Sequence, residues 1–331
     1  MKTRSIAAVR SHASGERVAT LAAAWQRFWF APAWPGTLGF CRVLFFAYLL
    51  RLAPEVVSTA WSTVTPALWL PVHLFALLRL GPASPGLLAL LDTLWIGALL
   101  LACAGCATRA STAAAALLGV YLLGLPQCFG KVDHWSGLLV LVLLVLAASR
   151  CGDAFSVDAW LAQRRAPWSE RAARQSVPSG EYRWPIQLVR LLMVLVFFAA
   201  GVAKLRFGRA AWFDPGNMAA ILIQPHYAID RSLPSLGLWI ASSPVATAVL
   251  AATTVLAETA APLALLGGLP AALIIGTLFV MQLGNAILIG VHASFPYLAC
   301  YAFWVPWPRI VALLARRREP RPEHRLLRVT R

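Results

Sequence analysis

A series of apolar runs dominates this sequence, and each run is close to the ~20 residues that a helix needs to cross a bilayer. The runs recur from residue 37 to residue 315. Hydrophobic residues make up 60% of the chain and charged residues 13%, whereas a soluble domain carries about 25% charged residues. The sequence therefore predicts an all-α, polytopic transmembrane helix bundle. It excludes a soluble enzyme, a secreted disulfide scaffold and a disordered chain.

The apolar runs predict about eight membrane spans. They cover residues 37–57, 86–106, 112–129, 134–149, 186–205, 244–267, 271–291 and 295–315. The chain then divides into a basic amphipathic N-terminal segment (1–27), the transmembrane bundle (28–315) and a basic tail (316–331). The first segment lacks the apolar stretch of about 7–15 residues that follows the basic start of a signal peptide. It is expected to lie on the membrane surface instead.

The positive charge lies largely outside the apolar runs and predicts the topology. The net charge is +16, and residues 1–27, 149–184 and 309–331 contribute +4, +2 and +6 of it. Cytoplasmic segments carry an excess of Lys and Arg, and sharing one side requires an even number of spans. Both termini are therefore expected in the cytoplasm, with the chain in the cell membrane. Membrane lipids, rather than nucleic acid, are the expected partners of this charge.

Histidine does not form a recognisable metal site in this sequence. The four histidines outside the tails fall at outer span ends or in outer loops of the predicted topology, namely His73, His134, His226 and His292. No two of them have the spacing of paired metal ligands, so no metal is predicted. His134 and His292 are retained as candidates for binding a substrate at the outer end of the bundle.

Lys204 ends the apolar run 188–205, and two interpretations of it stay open. A lysine at the end of a span can extend its ammonium to the membrane surface. Alternatively, Lys204 faces a pocket in the bundle, where desolvation favours the neutral amine. A neutral amine near the membrane surface is a competent general base for a lipophilic acid such as a phenol.

Three further polar residues lie inside predicted spans. Glu258 is in the sixth span, and an ionisable group at such a depth usually faces the interior of the bundle, where it is paired or protonated. Gln282 and Asn285 lie one turn apart in the seventh span. All three residues either hydrogen-bond between helices or line a cavity. We take Glu258 as a catalytic candidate and Gln282 and Asn285 as substrate-binding candidates.

Several of these residues belong to a pattern that resembles a known family. The stretch Phe197-Phe198-Ala-Ala-Gly201-Val-Ala-Lys204-Leu205, followed by Trp212 and Gly216, resembles the hallmark of HTTM proteins. These are bacterial relatives of the membrane part of vitamin K-dependent γ-glutamyl carboxylase. Weaker support comes from Leu38-Gly-Phe-Cys-Arg42, from Phe155-Ser-Val-Asp158, and from the positions of Glu258 and Asn285.

The resemblance implies a reduced, vitamin K-like quinone as cofactor and Lys204 as the base that deprotonates it. Trp212 joins the substrate-binding candidates on the same ground. Two positions differ from the carboxylase, because Asp153 and Gln282 stand where it has histidines. The sequence given also has no counterpart of the carboxylase's large extramembrane region. The resemblance thus implies the fold more strongly than carboxylation of a protein.

Two functions of different classes follow from the sequence. The first is a membrane enzyme that acts on a quinol or another lipophilic phenol, with Lys204 as general base. The second is a non-catalytic membrane protein or small-molecule carrier, in which Glu258, Gln282 and Asn285 only hold helices together. A lipophilic small molecule is the expected ligand in either case. The sequence does not predict an oligomeric state.

Overall fold

In a computed structural model, the described part of the chain is helical apart from loops and one isolated bridge between Ala33 and Ser179. The structure describes residues 20–55, 58–72, 74–130, 134–165, 177–228, 234–289 and 298–318. The predicted all-α bundle is confirmed.

Fourteen helices are numbered in order within these ranges. They are α1 (20–30), α2 (Pro35–Leu52), α3 (Leu74–Leu77), α4 (Pro85–Ala104), α5 (Thr108–Gly124), α6 (His134–Ala148), α7 (Val157–Arg165), α8 (Arg183–Ala203), α9 (Pro215–Ala228), α10 (Pro234–Ala241), α11 (Pro244–Thr259), α12 (Gly268–Gly284), α13 (Leu298–Tyr301) and α14 (Trp307–Arg318). Short 3₁₀ segments extend α5 to Cys128 and follow α11 from Ala261 to Leu266. Two π-helical segments, Lys204–Gly208 and Asn285–Ile289, follow α8 and α12.

Five segments of the described chain are long and apolar enough to cross a membrane. They are Pro35–Leu52, Pro85–Ala104, Thr108–Cys128, Gly180–Phe213 and Gly268–Ile289. Two shorter apolar helices, Ser136–Ala148 and Pro244–Thr259, coincide with the predicted fourth and sixth spans. Seven of the eight predicted spans thus correspond to apolar helices, with ends that differ by up to eight residues. The total number of spans and the side that faces the cytoplasm stay predictions.

The predicted eighth span, 295–315, is not one continuous helix in its described part. Helical residues end at Trp304, and Val305 has an extended backbone (φ −72°, ψ 131°) before α14 begins. The break lies at Pro306, which cannot donate the backbone hydrogen bond that a continuing helix needs. The described part of this run thus consists of two helical pieces, and a membrane span over 295–315 stays a prediction. The apolar composition of the run does not reveal this helix break, whereas Pro306 indicates it.

The outer faces of the bundle remain apolar. On α4, Leu87, Leu90 and Leu94 are each about half exposed, and on α12 Leu273 and Val280 are exposed by more than 60%. A water-soluble bundle would bury such leucines, whereas lipid surrounds them at no hydrophobic cost. The fold is therefore that of a multi-pass membrane protein.

One end of the bundle gathers the segments that the charge pattern places on one side of the membrane. The Arg183 side chain, at the start of α8, donates from Nε to the Phe28 carbonyl of α1 at 3.2 Å. Near the other terminus, Trp307 packs its ring 4.4 Å from that of Phe40. We call this end the basic end. It brings α1, the start of α8 and the start of α14 to the same end of the bundle.

A buried arginine ties α2 to the loop that follows α6 at the basic end. Arg42 is fully buried, and its guanidinium donates to the carbonyl oxygens of Cys151 and Phe155. Gly105 makes this approach possible, since a Cβ there would lie 2.5 Å from Arg42 Nη1. Gly105 also has φ +71°, a conformation that favours glycine. Arg42 therefore has a structural role in the first span.

Asp158, at the end of the Phe155–Asp158 stretch, caps the N-terminus of α5. Its carboxylate accepts hydrogen bonds from the backbone N–H groups of Ala107 (2.9 Å) and Thr108 (2.6 Å) and from the Thr108 hydroxyl (2.7 Å). Burial opposes the charged form, but these hydrogen bonds outweigh it and hold the pKa of Asp158 below its usual value. The Phe155–Asp158 stretch thus helps to hold the helices together at the basic end.

Replacing Asp158 by alanine is expected to lower the free energy of unfolding by about 0.5–2 kcal/mol at pH 7, as the loss of a helix cap does. Because the folded pKa of the carboxyl is lowered, its stabilisation is complete above the unfolded value of about 3.9 and is lost as the pH falls through the folded value. Thermal unfolding in detergent at pH 7 and at about pH 3 should show the difference from wild type shrinking. A constant difference would contradict the assignment.

Candidate functional site

The structure pairs the two residues that sequence analysis proposed as catalytic. Lys204 Nζ lies 2.8 Å from Glu258 Oε1 and 2.6 Å from Oε2, so the ammonium binds both carboxylate oxygens. The Lys204 side chain is 18% exposed and that of Glu258 is 6% exposed. Lys204 therefore turns into the bundle and does not extend to the membrane surface. The pair joins the end of α8 to α11 across 54 residues of sequence.

Close packing of α8 against α11 brings the pair together. At Gly201, one turn before Lys204, an added Cβ would lie 2.8 Å from the Thr259 nitrogen and 2.9 Å from Glu258 Cβ. Any larger residue would push the helices apart. The glycine of the Gly201-Val-Ala-Lys204 stretch thus sets the helix separation at which the lysine reaches the carboxylate.

Trp212 is the third residue of the site and lies next to the ammonium of Lys204. Lys204 Nζ lies 5.2 Å from the centroid of the Trp212 ring, within the range of a cation–π interaction. The chain reaches Trp212 through the π-helical segment that Lys204 begins and a following 3₁₀ turn. π-Helical segments inside α-helices occur frequently at functional sites. Trp212 thus lies beside the pair, and its role in binding a substrate stays a prediction.

Asn285 and Gln282 lie at the same end of the bundle, but no hydrogen bond joins them to the pair in the described chain. The π-helical segment that Asn285 begins supplies Leu288 and Ile289, which pack in the same apolar cluster as Trp212. Gln282 is 7% exposed, and its Oε1 accepts no hydrogen bond from any described residue. A buried acceptor without a donor is costly and commonly marks a missing partner such as a ligand.

The two histidine candidates contribute nothing that the structure describes. His134 begins α6, but its side chain lies outside the described residues, and so does the whole of His292. Within the part of the chain that is described, no group of three or more His, Cys, Asp or Glu residues could hold a metal ion. The site that the described contacts define therefore consists of Lys204, Glu258 and Trp212, and Gln282 and Asn285 make no described contact with it.

The pair itself was not predicted, although both its members were. A lysine and a glutamate inside apolar helices each pay a large desolvation penalty, and pairing reduces the penalty of both. Two such residues in one helix bundle therefore favour a mutual ion pair, which the sequence alone indicates. The pair carries no net charge whether its proton is on nitrogen or on oxygen, so the arrangement permits proton transfer without a change in charge.

Fold and site together define a class, that of a multi-pass helical membrane protein with a buried lysine–carboxylate pair between two of its helices. The model of the HTTM domain matches residues 30–307, which is most of the chain. The chain belongs to the HTTM family, as the resemblance indicated. No curated protein and no solved structure matches it.

Proposed function

We propose that this HTTM protein is a membrane enzyme that removes a proton from a quinol or a similar lipophilic phenol. The observation that carries the proposal is the buried Lys204–Glu258 pair with distances of 2.6 and 2.8 Å. A general base works best when burial and a neighbouring group bring its pKa close to the pH at which the enzyme works. The relationship of the HTTM family to vitamin K-dependent carboxylase supports a quinol as the acid.

The pair accepts the proton in two steps that keep charge balanced. The proton on Lys204 Nζ first moves to a Glu258 oxygen over the existing hydrogen bond, which leaves a neutral amine beside a neutral carboxyl group. The amine then takes the proton of the phenolic O–H, so that Lys204 becomes an ammonium again and forms the counter-ion of the phenolate. Because Glu258 is then uncharged, it does not repel the new anion.

The residues present fit a reduced quinone in two respects. The Trp212 ring lies 5.2 Å from the ammonium and offers an aromatic ring a stacking surface. Gln282 has a buried oxygen without a donor, which a second hydroxyl of the ligand would supply. A reduced quinone, when bound, supplies a phenolic hydroxyl whose deprotonation prepares the ring for oxidation. Asn285, His134 and His292 are proposed as further binding residues on sequence grounds.

The proposal is tested by turnover of reduced naphthoquinones, with and without bicarbonate, by the purified chain in nanodiscs. With dissolved O2 as the oxidant, wild-type protein should convert the quinol to the quinone faster than empty nanodiscs do, and the added rate should depend on Lys204. Absence of any added rate, with a series of quinols and simple phenols, would leave the non-catalytic function, in which the pair only joins two helices.

Replacing Gln282 by leucine is expected to separate binding from stability. Since Oε1 has no donor in the described chain, its loss should change the free energy of unfolding by less than about 1 kcal/mol. The ratio kcat/KM for the quinol should fall about tenfold, as the loss of one neutral hydrogen bond implies. Steady-state kinetics and thermal unfolding measure the two effects.

Gln187 supplies the matched control for this substitution. It is equally buried, but its Oε1 accepts a hydrogen bond from Arg190 Nη1 at 2.9 Å. Gln187→Leu should therefore destabilise the fold by about 1–3 kcal/mol and leave KM unchanged. Equal loss of stability in both variants would show that Gln282 has a structural role and does not bind the substrate.

A further inference from the structure

A second site lies at the basic end, far from the Lys204–Glu258 pair. Here a cleft of about 890 Å³ opens between α1, the start of α8, the start of α12 and the segment before α14. Four arginines line it, namely Arg27, Arg183, Arg190 and Arg309. No acidic side chain lines it within the described part of the chain. The positive charge of the four arginines is therefore not neutralised by any described residue that lines the cleft.

The arginines form a path from the mouth of the cleft into the bundle. Arg27 and Arg309 are exposed, whereas Arg183 and Arg190 are partly buried. Arg183 and Arg190 are seven residues apart on α8, which places them on one face of the helix about 10 Å apart along its axis. The cleft thus presents positive charge both at the surface and one or two turns inside it.

Arg190 is held in place by contacts that leave part of its guanidinium available. Its Nε donates to the Phe303 carbonyl at 2.8 Å and its Nη1 to Gln187 Oε1 at 2.9 Å. The guanidinium carbon also lies 5.1 Å from the centroid of the Trp304 ring. These two hydrogen bonds use two of the five N–H groups of an arginine. The remainder are preorganised for an anion that accepts several hydrogen bonds.

The α12 wall of the cleft is apolar and is lined largely by small side chains. It is built from small residues of α12, including Ala271, Ala272 and Gly276, with Ile275 and Phe279 beside them. A free inorganic anion would leave this wall uncovered, whereas an acyl chain would cover it. Charge and apolar wall together fit a molecule with an anionic head group and a hydrocarbon tail.

We propose that this cleft binds an anionic phospholipid of the surrounding membrane, with its phosphate at the arginines and an acyl chain along α12. Basic clefts between membrane helices attract anionic head groups in this way. The proposal is independent of the enzymatic function, because it uses none of the residues of the Lys204–Glu258 pair.

The test is lipid binding to the purified full chain in detergent, measured by native mass spectrometry. Dioleoyl phosphatidylglycerol is titrated against dioleoyl phosphatidylcholine, and inorganic phosphate serves as a tail-free competitor. The double variant Arg27→Gln/Arg309→Gln removes two charges from the mouth. Gly276→Phe fills the apolar wall, where a Cβ meets nothing within 4 Å, without touching an arginine. Arg109→Gln/Arg150→Gln removes two charges from a different cleft at the same end.

Phosphatidylglycerol should bind its first site at least about tenfold more tightly than phosphatidylcholine. The mouth variant should weaken phosphatidylglycerol binding on the order of 10- to 30-fold. Gly276→Phe should also weaken it, and the Arg109/Arg150 control should leave it unchanged. Equal binding of the two lipids, or an equal loss in the control, would overturn the proposal. Displacement by phosphate together with normal binding to Gly276→Phe would show a site for a soluble anion instead.

Discussion

Turnover of a reduced naphthoquinone should fall on the order of 10²–10⁴-fold when Lys204 is replaced by arginine, the usual contribution of a positioned acid–base group. Arginine preserves positive charge and length, and its planar guanidinium binds both oxygens of a carboxylate. It should therefore keep the ion pair with Glu258 and the fold. It cannot lose its proton in a protein, so it cannot accept one from a phenol.

The controls for this variant separate chemistry from charge. Arg206→Lys exchanges the same two residue types in the same π-helical segment, on an exposed side chain, and should leave turnover unchanged. Melting temperature and elution volume should match the wild type for both variants. An arginine variant that is folded and fully active would exclude Lys204 as the base, and the pair would then be only a link between helices.

Removing the carboxylate of the pair should have the largest effect on stability. Glu258→Leu leaves a lysine ammonium, 18% exposed, without its partner. Loss of one member of a buried pair costs about 3–5 kcal/mol of unfolding free energy. The double variant Lys204→Met/Glu258→Leu has no charge left to bury, and it should recover most or all of this loss. Thermal unfolding in detergent of the wild type, the single variants Glu258→Leu and Lys204→Met, and the double variant gives the coupling energy.

An exposed ion pair provides the reference for this experiment. Arg150 and Asp153 are 2.8 Å apart at the basic end, with side chains 52% and 35% exposed. Arg150→Gln should cost less than about 1 kcal/mol, since water replaces the lost partner. If Glu258→Leu costs no more than this, or if the double variant is as unstable as the single one, the buried-pair account is wrong.

The two experiments together distinguish an enzyme from a purely structural protein. On our proposal the double variant is stable but inactive, because it keeps the packing around Gly201 and loses both groups that move the proton. On the non-catalytic alternative, all stable variants transport or bind the same molecules. Stability and turnover must therefore be measured on the same preparations.

Much of the site could be anticipated from local sequence. Lys204 and Glu258 are conspicuous because ionisable residues inside apolar runs are rare and costly. Gln282 and Asn285 stand out because amide side chains inside apolar runs need hydrogen-bond partners in the bundle. The helix break after Trp304 could also be predicted, since Pro306 interrupts the last apolar run. Hydropathy averaged over ~20 residues does not register such a break, because it depends on one residue that cannot donate a backbone hydrogen bond.

The sequence by itself determined the helices, the class of protein and the family. Backbone hydrogen bonds within a helix join residues four apart, so an apolar run specifies a membrane helix without reference to the rest of the chain. The tertiary structure alone decided which helices meet, and at what rotation. It set Gly201 against Thr259, and thereby Lys204 beside Glu258, and it gathered Arg27, Arg190 and Arg309 around one cleft. These contacts depend on side-chain packing between distant segments, which no local pattern encodes.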